Sequence, residues 1–335
     1  MSLPRSSLLT IPLVLLAGCG SADPGRLPPA AEPPRSPVLT RAPAGRATPV
    51  GEHPEGVVVD PRTGLAAVAL RDPDRLRLVD AGSGRVVRDV ALPGTVRHLT
   101  LAAPGGPLLV PVETANRLLE VALPSGRVLA DVATAAQPHA AVAIAGGAVA
   151  VVAERGNLLQ IVRAGRVRAR ARVALQPGGL ATLDGGRTIA VVAVRERRLE
   201  LYDARTLRRT ASVPAGVGPT HVACRDDDAG GVCWVADTIG DALLLFERPG
   251  GHLELSRRQY LPGGPYGIAL DDRRRRLWVT LQARNQLALL PARHGTRLLR
   301  RIATVRQPLT VAVDERSGDL LVTGTTAGVL QHVRP

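Results

Sequence analysis

Lysine is missing from this 335-residue chain, so all 43 basic residues are arginine and the formal net charge of +14 comes from guanidinium groups alone. Beside abundant Ala, Gly, Pro and Val, a bias of this kind reads as GC-rich coding before it reads as a dedicated polyanion site. A basic surface would still sit against anionic phospholipid or cell-wall polymer. Aromatic residues are nearly as scarce: one Phe, two Trp and three Tyr. So few rings leave little on which to stack bases, and with no nucleic-acid motif present, nucleic acid is not an expected partner. Apolar runs long enough to cross a bilayer as a helix are also lacking. No Gly-rich phosphate loop, nucleophile elbow or His-Glu-x-x-His segment occurs, which disfavours a nucleotide enzyme or a hydrolase of those kinds.

The N-terminus carries the most specific motif. Arg5 supplies a short basic region, Leu8 to Leu16 an apolar one, and Leu16-Ala17-Gly18-Cys19 a lipobox. Residues 1–18 are expected to be a lipoprotein signal peptide. Cys19 would take a diacylglycerol on its thiol and become the palmitate-bearing first residue; the alternative is an ordinary secretory signal. The apolar region is too short to span a membrane, so the anchor would be acyl chains, with the chain on the extracytoplasmic side of the cell membrane. Residues 19–37, rich in Pro, Ala and Gly, read as a flexible tether, and 38–335 as one domain, expected to be a monomer. The other two cysteines, Cys224 and Cys233, flank an Asp- and Gly-rich turn. A hairpin there would set them opposite one another, as a disulfide or as two buried thiols on adjacent strands.

One short pattern recurs along the domain: a proline, two residues that are often small or His, then alternating apolar residues. Copies begin at Pro54, Pro138, Pro177, Pro219, Pro265 and Pro308, with a degenerate copy at Val96, at intervals of 39 to 46 residues. That period suits a four-stranded propeller blade. Period-two alternation is clearest in Leu76-Arg77-Leu78-Val79-Asp80 and Leu199-Glu200-Leu201-Tyr202-Asp203. The turns that follow, such as Asp80-Ala81-Gly82-Ser83-Gly84, combine an Asp that can bond its own backbone with glycines suited to positive φ. The expected fold is all-β: a seven-bladed β-propeller with four-stranded blades. The seventh repeat runs out after three strands, near 310–313, 320–323 and 329–333. An N-terminal strand, placed around Val38 to Thr40, is expected to close it and remove the open edge.

These repeats resemble the YVTN type of seven-bladed propeller, through Asp74 to Val87 and through Arg198-Leu199-Glu200-Leu201-Tyr202-Asp203-Ala204-Arg205-Thr206. The characteristic Asn after the second strand of that family is matched at Asn116, Asn157 and Asn285. Ala, Val and Leu replace most of the aromatics that family carries. Pro265-Tyr266-Gly267-Ile268-Ala269 and Leu277-Trp278-Val279-Thr280 are similar to a repeat unit of the streptogramin lyases, and gluconolactonase-type lactonases are similar in outline.

In such a propeller the connections from strand d to a and from b to c gather on one face around the central channel. His53, His98, His139 and His221 fall at d-to-a junctions or at the start of strand a, whereas His252, His294 and His332 lie elsewhere. Glu113, Glu154 and Asp237 fall in b-to-c connections of the same face. Imidazoles and carboxylates converging from several blades can hold a divalent metal or exchange protons; polar residues also simply solvate a funnel mouth. No other cofactor is implied. The leading expectation is a non-catalytic binding or scaffold module of the cell envelope, with an envelope protein, polymer or small ligand as partner. The alternative is a metal-dependent enzyme, streptogramin-lyase-like or lactonase-like, using the histidine-lined face.

Overall fold

The computed structural model describes residues 27–228, 230–293 and 297–335. Cys19, the lipobox, the signal peptide, the start of the tether and His294 lie outside the described residues. Twenty-eight strands form seven antiparallel sheets of four, with three single-turn 3₁₀ segments and no α-helix among the described residues. Each sheet is one repeat. In blade 1 strands a to d are Val57–Val59, Leu65–Leu70, Arg75–Asp80 and Val86–Ala91. Blades 2 to 6 start their first strands at Thr100, Pro138, Pro177, Pro219 and Pro265.

Blade 7 has Pro308–Val313, Leu320–Gly324 and Val329–Val333 as its inner three strands, and its outer strand is Arg46–Pro49, paired antiparallel with Val329–Val333. The first and last strands of the propeller thus share one sheet. The closing strand lies later in the chain than Val38 to Thr40, whose apolar look suggested a strand. Val38 is exposed and takes no place in a sheet. Thr48 and its neighbours win because their backbone meets residues 329–332 in register.

Period-two patterning sets the burial. Second strands such as Leu65–Leu70 and Ala148–Ala153 are buried at every position, because both faces of the sheet pack on neighbouring blades. Outer strands are exposed, and there the arginines accumulate, as in Arg166–Arg172. Seven apolar clusters, mostly Ala, Val and Leu, fill the spaces between blades, and the two tryptophans, Trp234 and Trp278, are fully buried in blades 5 and 6. Each fully buried Val or Leu contributes about 1.5–3 kcal/mol relative to exposure.

On the face made by a-to-b turns, acids organise backbone, as the sequence chemistry suggested. Asp60 accepts N–H bonds from Arg62 and Thr63 in its own turn and from Gly105 in the next blade. Asp226 accepts from the N–H groups of Asp184 and Gly185, tying blade 5 to blade 4. Cys224 and Cys233 are direct cross-strand partners and are joined as a disulfide, with their Cα atoms 4.1 Å apart.

Part of the stretch read as a flexible tether is laid down on the opposite face. Ser36 is buried; its N–H donates to Gln307 Oε1 (2.8 Å) and its hydroxyl to the Gln282 carbonyl (2.5 Å). Ala30 packs on the apolar cluster shared by blades 4 and 5. The composition lacks anything large to bury; polar contacts hold residues 34–37, and small apolar side chains such as Ala30 pack ahead of them.

Candidate functional site

The repeat motif itself builds the mouth of the channel on the d-to-a face. Its second position carries Glu55, Arg97, His139, Gly178, Thr220, Tyr266 and Leu309 in successive blades, and its third carries Gly56, His98, Ala140, Gly179, His221, Gly267 and Thr310. Strands a crowd together around the axis, so some third positions have no room for a side chain. A Cβ on Gly56 would lie 2.6 Å from the Arg97 carbonyl oxygen, and one on Gly267 2.6 Å from that of Leu309. Imidazoles at blades 2 and 5 fill the space left over.

Five of the seven sequence-identified residues meet there. His139 Nδ1 lies 2.6 Å from Glu113 Oε1 and 3.2 Å from Glu154 Oε2. His139 Nε2 faces His98 Nε2 at 3.1 Å. His98 in turn packs edge-to-face on His221, with ring centroids 4.9 Å apart, and His221 on Tyr266 at 4.3 Å. Glu154 receives one N–H from Gln137 (3.0 Å) and one from Gln176 (2.6 Å), and Arg97 Nε stands 3.6 Å from Glu113 Oε2.

The three imidazoles titrate differently for reasons visible in these contacts. Burial works against charge on His139, but the hydrogen bonds to Glu113 and Glu154 outweigh it and raise its pKa to about 9. Burial, followed by repulsion from His139 and Arg97, pushes His221 down to about 3. His98 is held well below its ordinary value by burial and then by His139, His221 and Arg97. Burial opposes ionisation of Glu154 as well, yet the His139 contact keeps its carboxyl below the usual range. At neutral pH the mouth therefore holds the His139 imidazolium against the Glu154 carboxylate, with two neutral imidazoles beside it.

Two of the expected residues are not part of this group. Asp237 sits one residue earlier in its repeat than Glu113 and Glu154 do in theirs, and side chains alternate along a strand, so it points to the other side. There its Oδ1 accepts the N–H groups of Val217, Gly218 and Gly240, and Gly216 and Gly240 leave it the room. His53 is half exposed at the rim, 3.9 Å from Asp72. Conversely, Arg97, Tyr266, Gln137 and Gln176 complete the mouth and were not singled out from sequence. Arg97 and Tyr266 share the motif position of His139, and the glutamines each precede the motif's proline, so alignment of the repeats by register carried the signal.

Chemically, Glu113, His139 and Glu154 bring one ligand atom each within 4.8 Å of one another, and among the described residues no other trio of His, Cys, Asp or Glu does so. Below the cluster, a channel of about 850 Å³ runs to the a-to-b face, walled by Val, Leu, Ala and Gly of the first strands. Beside the cluster lies a polar cavity of about 610 Å³, with Arg97, Arg155, Arg195, Gln137 and Gln176 in its walls and Glu32 of the N-terminal segment at its edge.

No protein-family model and no curated protein matches the chain. Solved structures do. A chain of Kuenenia stuttgartiensis hydrazine synthase superposes with a TM-score of 0.72 at 13% identity, over 85% of this chain and 96% of that one. Virginiamycin B lyase from Staphylococcus aureus gives 0.70 at 14%, over 87% and 99%. The Myceliophteria thermophila Cps50 (Swd1) β-propeller domain gives 0.71 at 14%, over 87% and 98%. At such identities the likeness establishes the fold alone and leaves function to the site: the chain is a seven-bladed β-propeller with four-stranded blades.

Proposed function

We propose that this chain is an exported lipoprotein, anchored through Cys19 on the extracytoplasmic side of the membrane, whose propeller is a non-catalytic binding module of the cell envelope. The observation that carries the reading is the internal pairing of the mouth. His139 is clasped by Glu113 and Glu154, both amides of Gln137 and Gln176 are directed at Glu154, and residues 30–37 lie across the same face. A general acid or base needs a proton partner in reach of substrate; here the charged groups His139 and Glu154 already have their partners in the protein. Fractionation tests the reading. Wild-type chain should incorporate labelled palmitate and sediment with membranes, whereas Cys19→Ala should lose the label and appear in the soluble fraction. Equal partition of the two would refute the anchor.

The trio of Glu113, His139 and Glu154 favours a second reading, a divalent-metal site on the way to lyase- or lactonase-type chemistry. Two carboxylates and one imidazole are an acceptable donor set, and the glutamines on Glu154 would serve as the outer contacts that orient a ligand. Calorimetric titration with Zn²⁺ or Mn²⁺ should give heat in the parent and none in Glu113→Gln if this reading is the right one.

A further inference from the structure

The channel mouth reads its own N-terminal segment as an extended peptide would be read. The Gln307 side-chain amide accepts the Ser36 N–H at its oxygen (2.8 Å) and donates from its nitrogen to the Pro34 carbonyl (2.9 Å), so one amide serves two backbone groups as a neighbouring strand would. Asn285 Nδ2 donates to the Pro37 carbonyl (3.0 Å), and the buried Ser36 hydroxyl reaches the Gln282 carbonyl. Gly264 leaves space for a proline ring, since a Cβ there would come 2.5 Å from Pro34 Cγ. Farther along, Pro33 and Glu32 line a small recess with Glu55, Arg97 and Tyr266, and Glu32 also borders the cavity that carries Arg97, Arg155 and Arg195 together with Glu154, whose carboxylate is already bonded to His139, Gln137 and Gln176. Main-chain recognition, a proline seat and a basic recess for a carboxylate follow one another along a single line of residues.

We propose that this face is a docking groove for an extended, proline-containing peptide segment bearing a carboxylate, and that residues 30–37 are its intramolecular occupant, displaced when such a segment of an envelope partner binds. The proposal deepens the binding-module reading by naming the chemistry of the partner. Gln307 and Asn285 fix the backbone and the Gln282 carbonyl holds the Ser36 hydroxyl, whereas the arginine-lined cavity selects for acid at the position of Glu32. Gln137 and Gln176 occupy the same repeat position as Gln307, each with positive φ, but spend their amides on Glu154, so of these three glutamines only Gln307 reads backbone.

A tethered occupant competes at an effective concentration of about 1 mM, so a free peptide with an intrinsic Kd near 100 μM would lose about tenfold in apparent affinity to it. The test uses the full chain and a fluorescently labelled peptide with the sequence of residues 30–37, measured by anisotropy. Ser36→Pro deletes the N–H that Gln307 accepts and should release the segment. It should bind the labelled peptide about tenfold more tightly than wild type. Adding Gln307→Ala should cancel that gain, and a peptide with Gln in place of Glu should bind several-fold more weakly, with a shallower salt dependence. Pro34→Gly, which empties the proline seat without touching a strand, serves as the second releasing variant, and the melting transition of each is recorded. Equal affinity of wild type and both releasing variants, or a gain untouched by Gln307→Ala, overturns the groove. Such a failure leaves the palmitate and fractionation result unaffected, so the two readings fail separately.

Discussion

The two ends of the propeller are held by different physics. At the mouth, side chains from blades 2, 3 and 5 are buried against one another as charges and imidazoles, and an N-terminal segment is bonded over them. At the a-to-b end, acids such as Asp60 and Asp226 serve backbone N–H groups of tight turns, and one turn is closed by the Cys224–Cys233 disulfide. Burying charge costs desolvation that only partners can offset, whereas a turn acid near solvent stabilises by local hydrogen bonding and costs little. The mouth is therefore the brittle end. Its residues depend on one another across three blades, whereas a far turn such as that of Asp60 or Asp226 is bonded to one neighbouring blade only.

The largest effect belongs to the strand that joins both ends. Deleting residues 36–50 removes Arg46–Pro49, leaves Val329–Val333 with an unpaired edge, and also removes Ser36 from the mouth. The cooperative thermal transition should be lost or broadened into several steps. A transition unchanged in midpoint and width would disprove closure through this strand.

Next comes the mouth itself. In His139→Gln the two carboxylates of Glu113 and Glu154 lose the cation between them and stay buried, a situation that typically costs 3–5 kcal/mol. Urea unfolding should show that loss in the midpoint with no change in slope. Should the variant be as stable as the parent, the mouth would be no more brittle than the far end, and the contrast drawn above would collapse.

Much of this contrast was legible in the sequence, but unevenly. The seven repeats and the cross-strand placement of Cys224 and Cys233 follow from spacing alone. His98, His139 and His221 could be put on one face because their motif position is fixed relative to a proline. Asp237 was misplaced through parity: Thr238, not Asp237, is the register equivalent of Glu113 and Glu154, and a one-residue slip turns a side chain away from the axis. Arg46–Pro49 was missed because an outer strand exposed on both faces needs no apolar pattern, so Val38-Leu39 looked better. Residues 30–37 read as a tether because backbone-to-amide bonding, unlike burial of large side chains, leaves no trace in composition.

At the far end the disulfide closes a short loop, and the loop-entropy relation gives about 2.6 kcal/mol for it. Cys224→Ser with Cys233→Ser should lower stability by that order and leave every property of the mouth, including the pH response, as in the parent. A larger loss, comparable to that of His139→Gln, would mean that the two ends are coupled through blade 5.

The smallest expected effect separates the histidines of the mouth from one another by sign. His139, with a folded pKa near 9 against about 6.5 unfolded, stabilises fully below pH 6.5, and its contribution drains away as pH rises through 9, roughly 2 kcal/mol between pH 7 and 9. His221, depressed to about 3, acts oppositely: folding excludes its proton, so its neutral form favours the native state above pH 6.5 and costs stability as pH falls, roughly 1 kcal/mol between pH 7 and 5.5. Stability profiles of His139→Gln and His221→Gln, each subtracted from the parent, should therefore slope in opposite directions, one on the alkaline limb and one on the acid limb. Two difference profiles of the same sign would mean that the imidazoles share their protons as one group, and that the division of the mouth into one charged and two neutral rings is wrong.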